Sequence, residues 1–220
     1  VFGQPYVPPV SDGSGQDRNL LRKAQQLLQA AGLPIKDSKR LLPTGEVFTV
    51  EFIIDEPSFQ PHHGSFIKNL TTLGIEASLR VVDAVQFRAR VESFDFDITV
   101  QRLTMSPTPG DGLRAYFTSQ AAATKGSYNL AGVANPAIDA LVERAMAAET
   151  RSDLTFACRA LDRVFRAGRY WVPQWYNTSH RLAYWDIFGH PPTLPRYTGV
   201  GERVLWWHDA AKAAKLEQAK

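Results

Sequence analysis

Few side chains in this sequence are spaced for catalysis. His62 and His63 are adjacent. Neighbours i and i+1 on a helix point apart, and no carboxylate stands four residues on, so they make a poor metal pair and read as the polar start of a helix. Cys158 shares its spacing with Leu154 and Leu161, which puts it on an apolar helix face as a small hydrophobe rather than a nucleophile. Asp95 and Asp97 fall on one side of a strand, as an acid/base pair would. They read rather as the solvent side of an edge strand or as helix-capping partners. Gly110-Asp111-Gly112 lacks the strand and helix of a phosphate loop, and neither GxxxxGK[ST] nor GxGxxG occurs. HExxH and Ser-His-Asp spacings are also missing. A single cysteine permits no internal disulfide and no cysteine zinc cluster. The residues therefore assign no catalytic group, no metal and no cofactor.

Binding is better provided for. Leu103 to Asn129 is a long stretch rich in Gly, Pro, Ser and Thr that follows an apolar strand. Loops of this length in a compact domain are usually functional, and open α/β sheets bind ligands beyond the carboxyl ends of their strands. The ligand-binding candidates are thus Arg102, Thr104, Ser106, Asp111 and Arg114 at the strand end and loop, Tyr128 and Asn129 at its close, and Trp175 further on. Arg102, the first charged residue past the strand, suits a carboxylate or phosphate through its bidentate fork. The competing role for it is an internal pair with Asp111 or Asp97 that only braces the loop. Asn129 can bond a peptide backbone with both its carbonyl and its amide, and Trp175 offers a flat wall. All five tryptophans, at 171, 175, 185, 206 and 207, follow Arg169. Trp171, Pro173 and Trp175 would share one strand face, and for any one tryptophan core packing competes with ligand stacking.

The elements that would position these residues follow from periodicity. Residues 1–16 are rich in Pro, Gly and Ser and read as an extended linker. Leu20, Leu21, Ala24, Leu27, Leu28 and Ala31 mark a helical face, with Asp17 as N-cap and Gly32 as the stop. Strands are predicted near 48–54, 75–82 and 96–101, from alternations such as Phe48, Val50, Phe52 and Ile54. A helix from about Phe59 to Leu73 separates the first two. A short helix opened by Asp83 and Gln86 separates the last two. This β-α-β-α-β order implies right-handed crossovers and a mainly parallel sheet with flanking helices, and the alternation suggests that one sheet face is well covered. Two helices follow, the first begun by Asn135-Pro136 and buried along Ile138, Leu141, Val142 and Ala145, the second carrying Leu154, Cys158, Leu161 and Phe165. The fold class is α/β with an aromatic-rich C-terminal extension. The organisation reads as a linker over 1–16, a ligand-binding lobe over 17–208 and a helical tail over 209–220.

The bulk numbers agree with a globular binding domain. Of 220 residues, 44% are apolar and 21% charged, and 25 basic against 22 acidic residues leave a net charge of +3. The densest basic run, Lys36 to Arg40, is broken by Asp37 and Ser38, so no nucleic-acid partner is expected. No apolar run approaches the ~20 residues of a transmembrane helix, so no direct membrane insertion is expected. The first residues, from Val1, show neither a methionine nor a signal-peptide pattern, and the chain reads as a piece of something longer.

Several blocks, in order, resemble the family 5 extracellular solute-binding proteins, of the oligopeptide- and dipeptide-binding type. The block Leu21 to Gly32 is similar to the helix preceding their second lobe. Phe66-Ile67-Lys68-Asn69-Leu70 through Leu73-Gly74-Ile75-Glu76-Ala77 resembles their helix–Gly-Ile–strand passage. Val82-Asp83, Phe87 and Phe94-Asp95-Phe96-Asp97 continue it, followed by Asn129, Gly132, Asn135-Pro136 and Asp139. Leu161-Asp162-Arg163-Val164, the run Tyr170 to Tyr176, Ala183-Tyr184-Trp185-Asp186 and Trp206-Trp207 look like the YejA-like branch, associated with oligopeptides and the peptide-nucleotide antibiotic microcin C. The resemblance spans about residues 17 to 212. It implies the C-terminal lobe of a type II periplasmic-binding-protein fold and a non-enzymatic role as the substrate-binding component of an ABC importer. Implied partners are a peptide or peptide-like ligand, the N-terminal lobe of the full-length receptor and an ABC permease, with the periplasm as the compartment. A periplasmic sensor or protein-interaction module on the same fold is the alternative. Dipeptide receptors carry a Gly-Trp followed by an aspartate that pairs with the peptide amino terminus. Here the strand ends Gln101-Arg102, and Asp111 is the nearest downstream aspartate.

Overall fold

The computed structural model describes residues 3, 4, 6–103, 108–176, 181–193 and 205–218. The chain forms two compact units, Val1–Trp171 and Val172–Lys220.

In the first unit, helix α1 (Arg18–Ala30) begins where Asp17 accepts hydrogen bonds from the amides of Asn19 and Leu20. It ends at Gly32, whose φ of +78° is a conformation that glycine adopts without a Cβ penalty. Its apolar stripe is only half-covered, and Leu27 is exposed. A two-residue hairpin, β1 (Ile35–Lys36) and β2 (Lys39–Arg40), turns at Asp37 and Ser38, both with positive φ as such tight turns require. Arg40 is fully buried, and no carboxylate among the described residues pairs with it. Its Nε donates to the Leu73 carbonyl at 3.0 Å and its Nη1 to the Leu33 carbonyl at 2.7 Å. The Leu73 carbonyl is at the C-cap of α2, where partial negative charge accumulates; the two bonds engage Nε and Nη1, while the buried Nη2 has no hydrogen-bond partner among the described residues.

Strands β3 (Thr49–Ile54), β4 (Glu76–Val81) and β5 (Ile98–Thr99) form one sheet in the order β4-β3-β5, all parallel, with Phe52 opposite Leu79 and Ile98. Helix α2 (Gln60–Thr72), entered through a 3₁₀ turn at Pro57–Phe59, links the first pair. Helix α3 (Ala84–Glu92), capped by Asp83 on the amides of Val85 and Gln86, links the second. The parallel sheet and its crossovers match the reading from periodicity, with two differences. From Phe52 onward β3 is buried on both faces, since Phe52, Ile53 and Ile54 are all in the core. Each such burial stabilises the fold by roughly 1.5–3 kcal/mol. The third strand is also shorter than 96–101. The Asp97 side chain, not a backbone carbonyl, accepts the Glu51 amide at 2.8 Å, so ladder pairing begins only at Ile98.

Four helices complete the unit: α4 (Gly112–Phe117), α5 (Ser119–Ala122), α6 (Pro136–Met146) and α7 (Arg151–Gly168). Their shared core is Leu113, Phe117, Val133, Ile138, Val142, Ala145, Ala157 and Leu161. Trp171 joins it edge-on, with ring centroids 5.7 Å from Phe117 and 5.4 Å from Phe165. Among the described residues 170–176 pair with no strand, so Trp171 and Trp175 do not share a sheet face there; Trp171 packs and Trp175 is exposed. The segment before α1 is tied down at three points: Arg163 donates to the Gly3 carbonyl, Arg169 lies over the Tyr6 ring, and Asn69 donates to the Gly15 carbonyl.

The second unit contains the antiparallel pair β6 (Phe188–Gly189) and β7 (Trp207–His208) and the helix α8 (Ala210–Gln218). Trp206 sits among Tyr184, Phe188 and His190 at centroid distances of 4.5, 6.1 and 5.2 Å.

Candidate functional site

The carboxyl ends of β3 and β5 lie side by side because the two strands are paired. Beyond β3 come Asp55 and Glu56, and beyond β5 come Gln101 and Arg102. Arg102 is 71% exposed in its side chain and donates through Nη2 to Glu56 Oε2 at 3.0 Å. Its guanidinium carbon lies 5.5 Å from the Phe59 ring centroid, a cation–π distance. The internal partner of Arg102 is therefore Glu56, not Asp111 or Asp97. Asp97 instead takes the Glu51 amide, and Asp95 pairs with Arg90 at 3.0 Å, so that carboxylate pair is structural.

Gln101 carries the site onward. Its Nε2 donates to the Tyr128 carbonyl at 2.7 Å, which fastens the close of the loop to the end of β5. The Tyr128 side chain is 61% exposed and leans on Tyr116 with centroids 5.3 Å apart. Asn129, one residue on, is only 1% exposed. Its amide donates to the carbonyls of Thr118 and Val133, and its carbonyl accepts the Val133 amide, each at 2.9 Å. Both amide hydrogens are spent inside the protein, so Asn129 organises the turn from inside, and the peptide contact expected of its side chain has no donor left to make it.

Arg114 is committed to a bidentate pair with Glu143 on α6, at 2.7 and 2.6 Å, and to Asp111 at 2.9 Å. These bonds hold the Glu143 carboxyl below its usual range and raise the Arg114 guanidinium further. The cluster fixes α4 on α6 and gives Asp111 and Arg114 an internal function. Thr104 and Ser106 lie outside the described residues. Trp175 belongs to the second unit and is 60% exposed. The structure thus brings Arg102 and, through Gln101, Tyr128 to the strand ends, and it adds Glu56 and Phe59, which the sequence reading did not single out.

Other candidates settle as structural. His63 is buried against Phe52, with ring centroids 6.1 Å apart, rather than exposed at a polar helix start. It lies in the α2 stripe of Phe59, Phe66, Ile67 and Leu70, and burial pushes its imidazole below the ordinary value. Cys158 is half-buried along α7, in a shallow groove of about 320 Å³ shared with Pro109, Arg151, Leu154, Thr155, Arg159 and Asp162. Among the described residues, no cluster of three or more His, Cys, Asp or Glu could hold a metal ion. No helix among them is long and apolar enough to cross a membrane.

The sequence profile of the bacterial extracellular solute-binding proteins, family 5 (middle region), matches residues 2–125, more than half of the chain. The chain belongs to this family. Its curated relatives include the probable peptide-binding protein YejA of Agrobacterium fabrum, 38% identical over 212 residues that cover 96% of this chain and 34% of that protein. YejA of Escherichia coli is 37% identical over 222 residues, covering all of this chain and 36% of its relative. The chain spans about a third of the length of these proteins. Among solved structures, a periplasmic oligopeptide-binding protein of Thermotoga maritima bound to mannohexaose superposes with a TM-score of 0.63 at 19% identity, over 71% of this chain and 31% of that one. The oligopeptide-binding protein AppA of Bacillus subtilis, in complex with a nonapeptide, gives 0.61 at 19% identity, over 74% and 32%. At that identity the likeness establishes the fold, which is that of periplasmic binding proteins. Family 5 members are extracellular substrate-binding proteins rather than enzymes. The order of blocks from α1 through α6 reflects that membership, and the parallel β4-β3-β5 sheet is its structural counterpart here.

Proposed function

We propose that this chain is the C-terminal ligand-binding lobe of a periplasmic receptor that binds oligopeptides or peptide-like compounds and delivers them to an ABC permease. The observation that carries this reading is the joint placement of Arg102 and Tyr128 at the carboxyl ends of a parallel sheet in a family 5 chain. Ligands of open α/β sheets bind at such ends. An exposed arginine supplies a fork for a carboxylate or phosphate, and the Tyr116–Tyr128 pair supplies an aromatic wall. Thr104 and Ser106, between Arg102 and Asp111 in sequence, are proposed as further contacts, and Trp175, whose ring is exposed in the second unit, is proposed separately as a ligand contact. Asp111 and Arg114 act on the ligand only through the loop they brace. The curated YejA relatives support the peptide class, one of them being described as a probable peptide-binding protein.

One feature favours a second reading, a protein-interaction module. Tyr176, Trp185 and Trp207 of the second unit are all exposed, and large exposed apolar groups mark contact surfaces. The two readings separate on calorimetry of the full-length protein with a short-peptide mixture. Receptor function predicts saturable binding that weakens about tenfold or more in Arg102→Ala with the thermal melt unchanged. Unaltered affinity in Arg102→Ala and Trp175→Ala alike removes these residues from the site.

A further inference from the structure

The chain leaves β3 for β4 on one side of the sheet and returns through α3 to β5 on the other. The carboxyl ends of β3 and β5 therefore lie at a topological switch point, the place where open parallel sheets take ligands. Glu56 and Phe59 are held beside it by one turn. Pro57 opens that turn with a fixed φ, and the Phe59 amide donates back to the Glu56 carbonyl at 3.1 Å. A carboxylate beside an aromatic face is the combination that recognises an organic cation, by a charge-assisted hydrogen bond from one side and the ring quadrupole from the other. A cation is in fact found there: the Arg102 guanidinium, 3.0 Å from Glu56 Oε2 and 5.5 Å from the Phe59 centroid.

We propose that Glu56 and the ring of Phe59 form a subsite for a cationic group of the ligand, an ammonium or guanidinium, and that Arg102 occupies this subsite as an internal stand-in. The inference rests on the peptide-receptor reading and deepens it. Exposed ion pairs contribute little to stability, so a ligand cation displaces Arg102 at small cost. The displaced guanidinium then turns to a carboxylate of the same ligand, and each charge keeps a partner throughout. Glu56 sets selectivity for cationic ligands, and Arg102 sets the threshold that such ligands must overcome.

The test is calorimetry on the full-length protein with three tripeptides: Ala-Ala-Ala with free ends, its N-acetylated form, and N-acetyl-Ala-Lys-Ala. The wild-type protein is expected to bind at least one cation-bearing peptide about tenfold more tightly than the acetylated, cation-free one. Preference for free Ala-Ala-Ala identifies the amino terminus as the source of the cation, and preference for the lysine peptide identifies a side chain. Glu56→Gln, which keeps shape and removes charge, is expected to abolish the preference with the thermal melt unchanged. Arg102→Met is expected to retain or enlarge it, a result that a bracing role for the pair would not give. A preference that survives in Glu56→Gln, or the absence of any preference in the wild type, overturns the cation subsite while leaving peptide binding intact. If the wild type binds none of the three peptides, the peptide reading itself falls, and the subsite with it.

Discussion

Replacing Asn129 by alanine separates a scaffold role from a ligand contact. The substitution deletes three hydrogen bonds of 2.9 Å around a side chain that is 1% exposed. It leaves the Val133 amide and the Val133 and Thr118 carbonyls without that partner. Val133 itself is fully buried, so its amide meets no bulk water in compensation. At about 1 kcal/mol for each lost bond, and more where a donor stays dry, the cost is about 3 kcal/mol. That penalty is local, because the bonds close the turn between α5 and α6, so hydrogen exchange is a better assay than a global melt. In the full-length protein, Asn129→Ala is expected to speed exchange of amides over 118–133 about a hundredfold, the factor that corresponds to this free energy. Tyr128→Ala, on an exposed neighbour, is expected to leave exchange there within about twofold. Unchanged exchange in Asn129→Ala, with ligand affinity lost, would refute the scaffold assignment and restore Asn129 to the binding surface.

Three further outcomes follow from the same structure. His63 has its imidazole pKa lowered by burial, so as pH falls the unfolded chain takes up the proton first, and stability declines from the ordinary value of 6.5 down to the depressed native one. Denaturant unfolding at pH 8 and pH 5 should show this loss in the wild type and show it diminished in His63→Phe. Gly74 has φ +84°, and a Cβ there would stand 3.1 Å from the Arg40 amide nitrogen and 3.2 Å from the Ser38 carbonyl. Gly74→Ala should destabilise the protein by about 1–3 kcal/mol in urea unfolding, and a neutral result would contradict the close approach. Arg40→Met removes the cation that joins the ends of α1 and α2. It should cost about 2–4 kcal/mol by the same measurement, because the Leu33 and Leu73 carbonyls lose charged donors.

Most of the first unit was legible in the sequence because local signals agreed with one another. Asp17, Asp83 and Asn135 cap the helices they announce, and the alternations at 49–54 and 76–81 pair in parallel. The failures have a common physical origin, which is that a residue's polarity does not state its burial. His63 reads as polar beside His62, yet helical periodicity aligns it with Phe59, Phe66, Ile67 and Leu70, and that stripe could have revealed it. Asn129 reads as a surface hydrogen bonder, but a tight turn between helices needs an internal one, and no periodic pattern marks the place. Asp97 shortens β5 through a side-chain bond to another strand, which alternation within one strand cannot show. Glu56 carries no mark of its own, because the long Gly/Pro-rich stretch that signals a binding loop follows β5 and not β3; only the pairing of the two strands brings Asp55 and Glu56 to the same edge.

The central claim is that a peptide or peptide-like ligand binds at the strand ends in the full-length receptor. Mass spectrometry of small molecules released from the full-length protein, purified from its host without added ligand and then exposed to a peptide mixture, tests it most directly. The account predicts peptides or peptide conjugates in the released fraction, with their recovery sharply reduced in Arg102→Ala. A folded protein that releases no such molecule and takes none up from the mixture would contradict it.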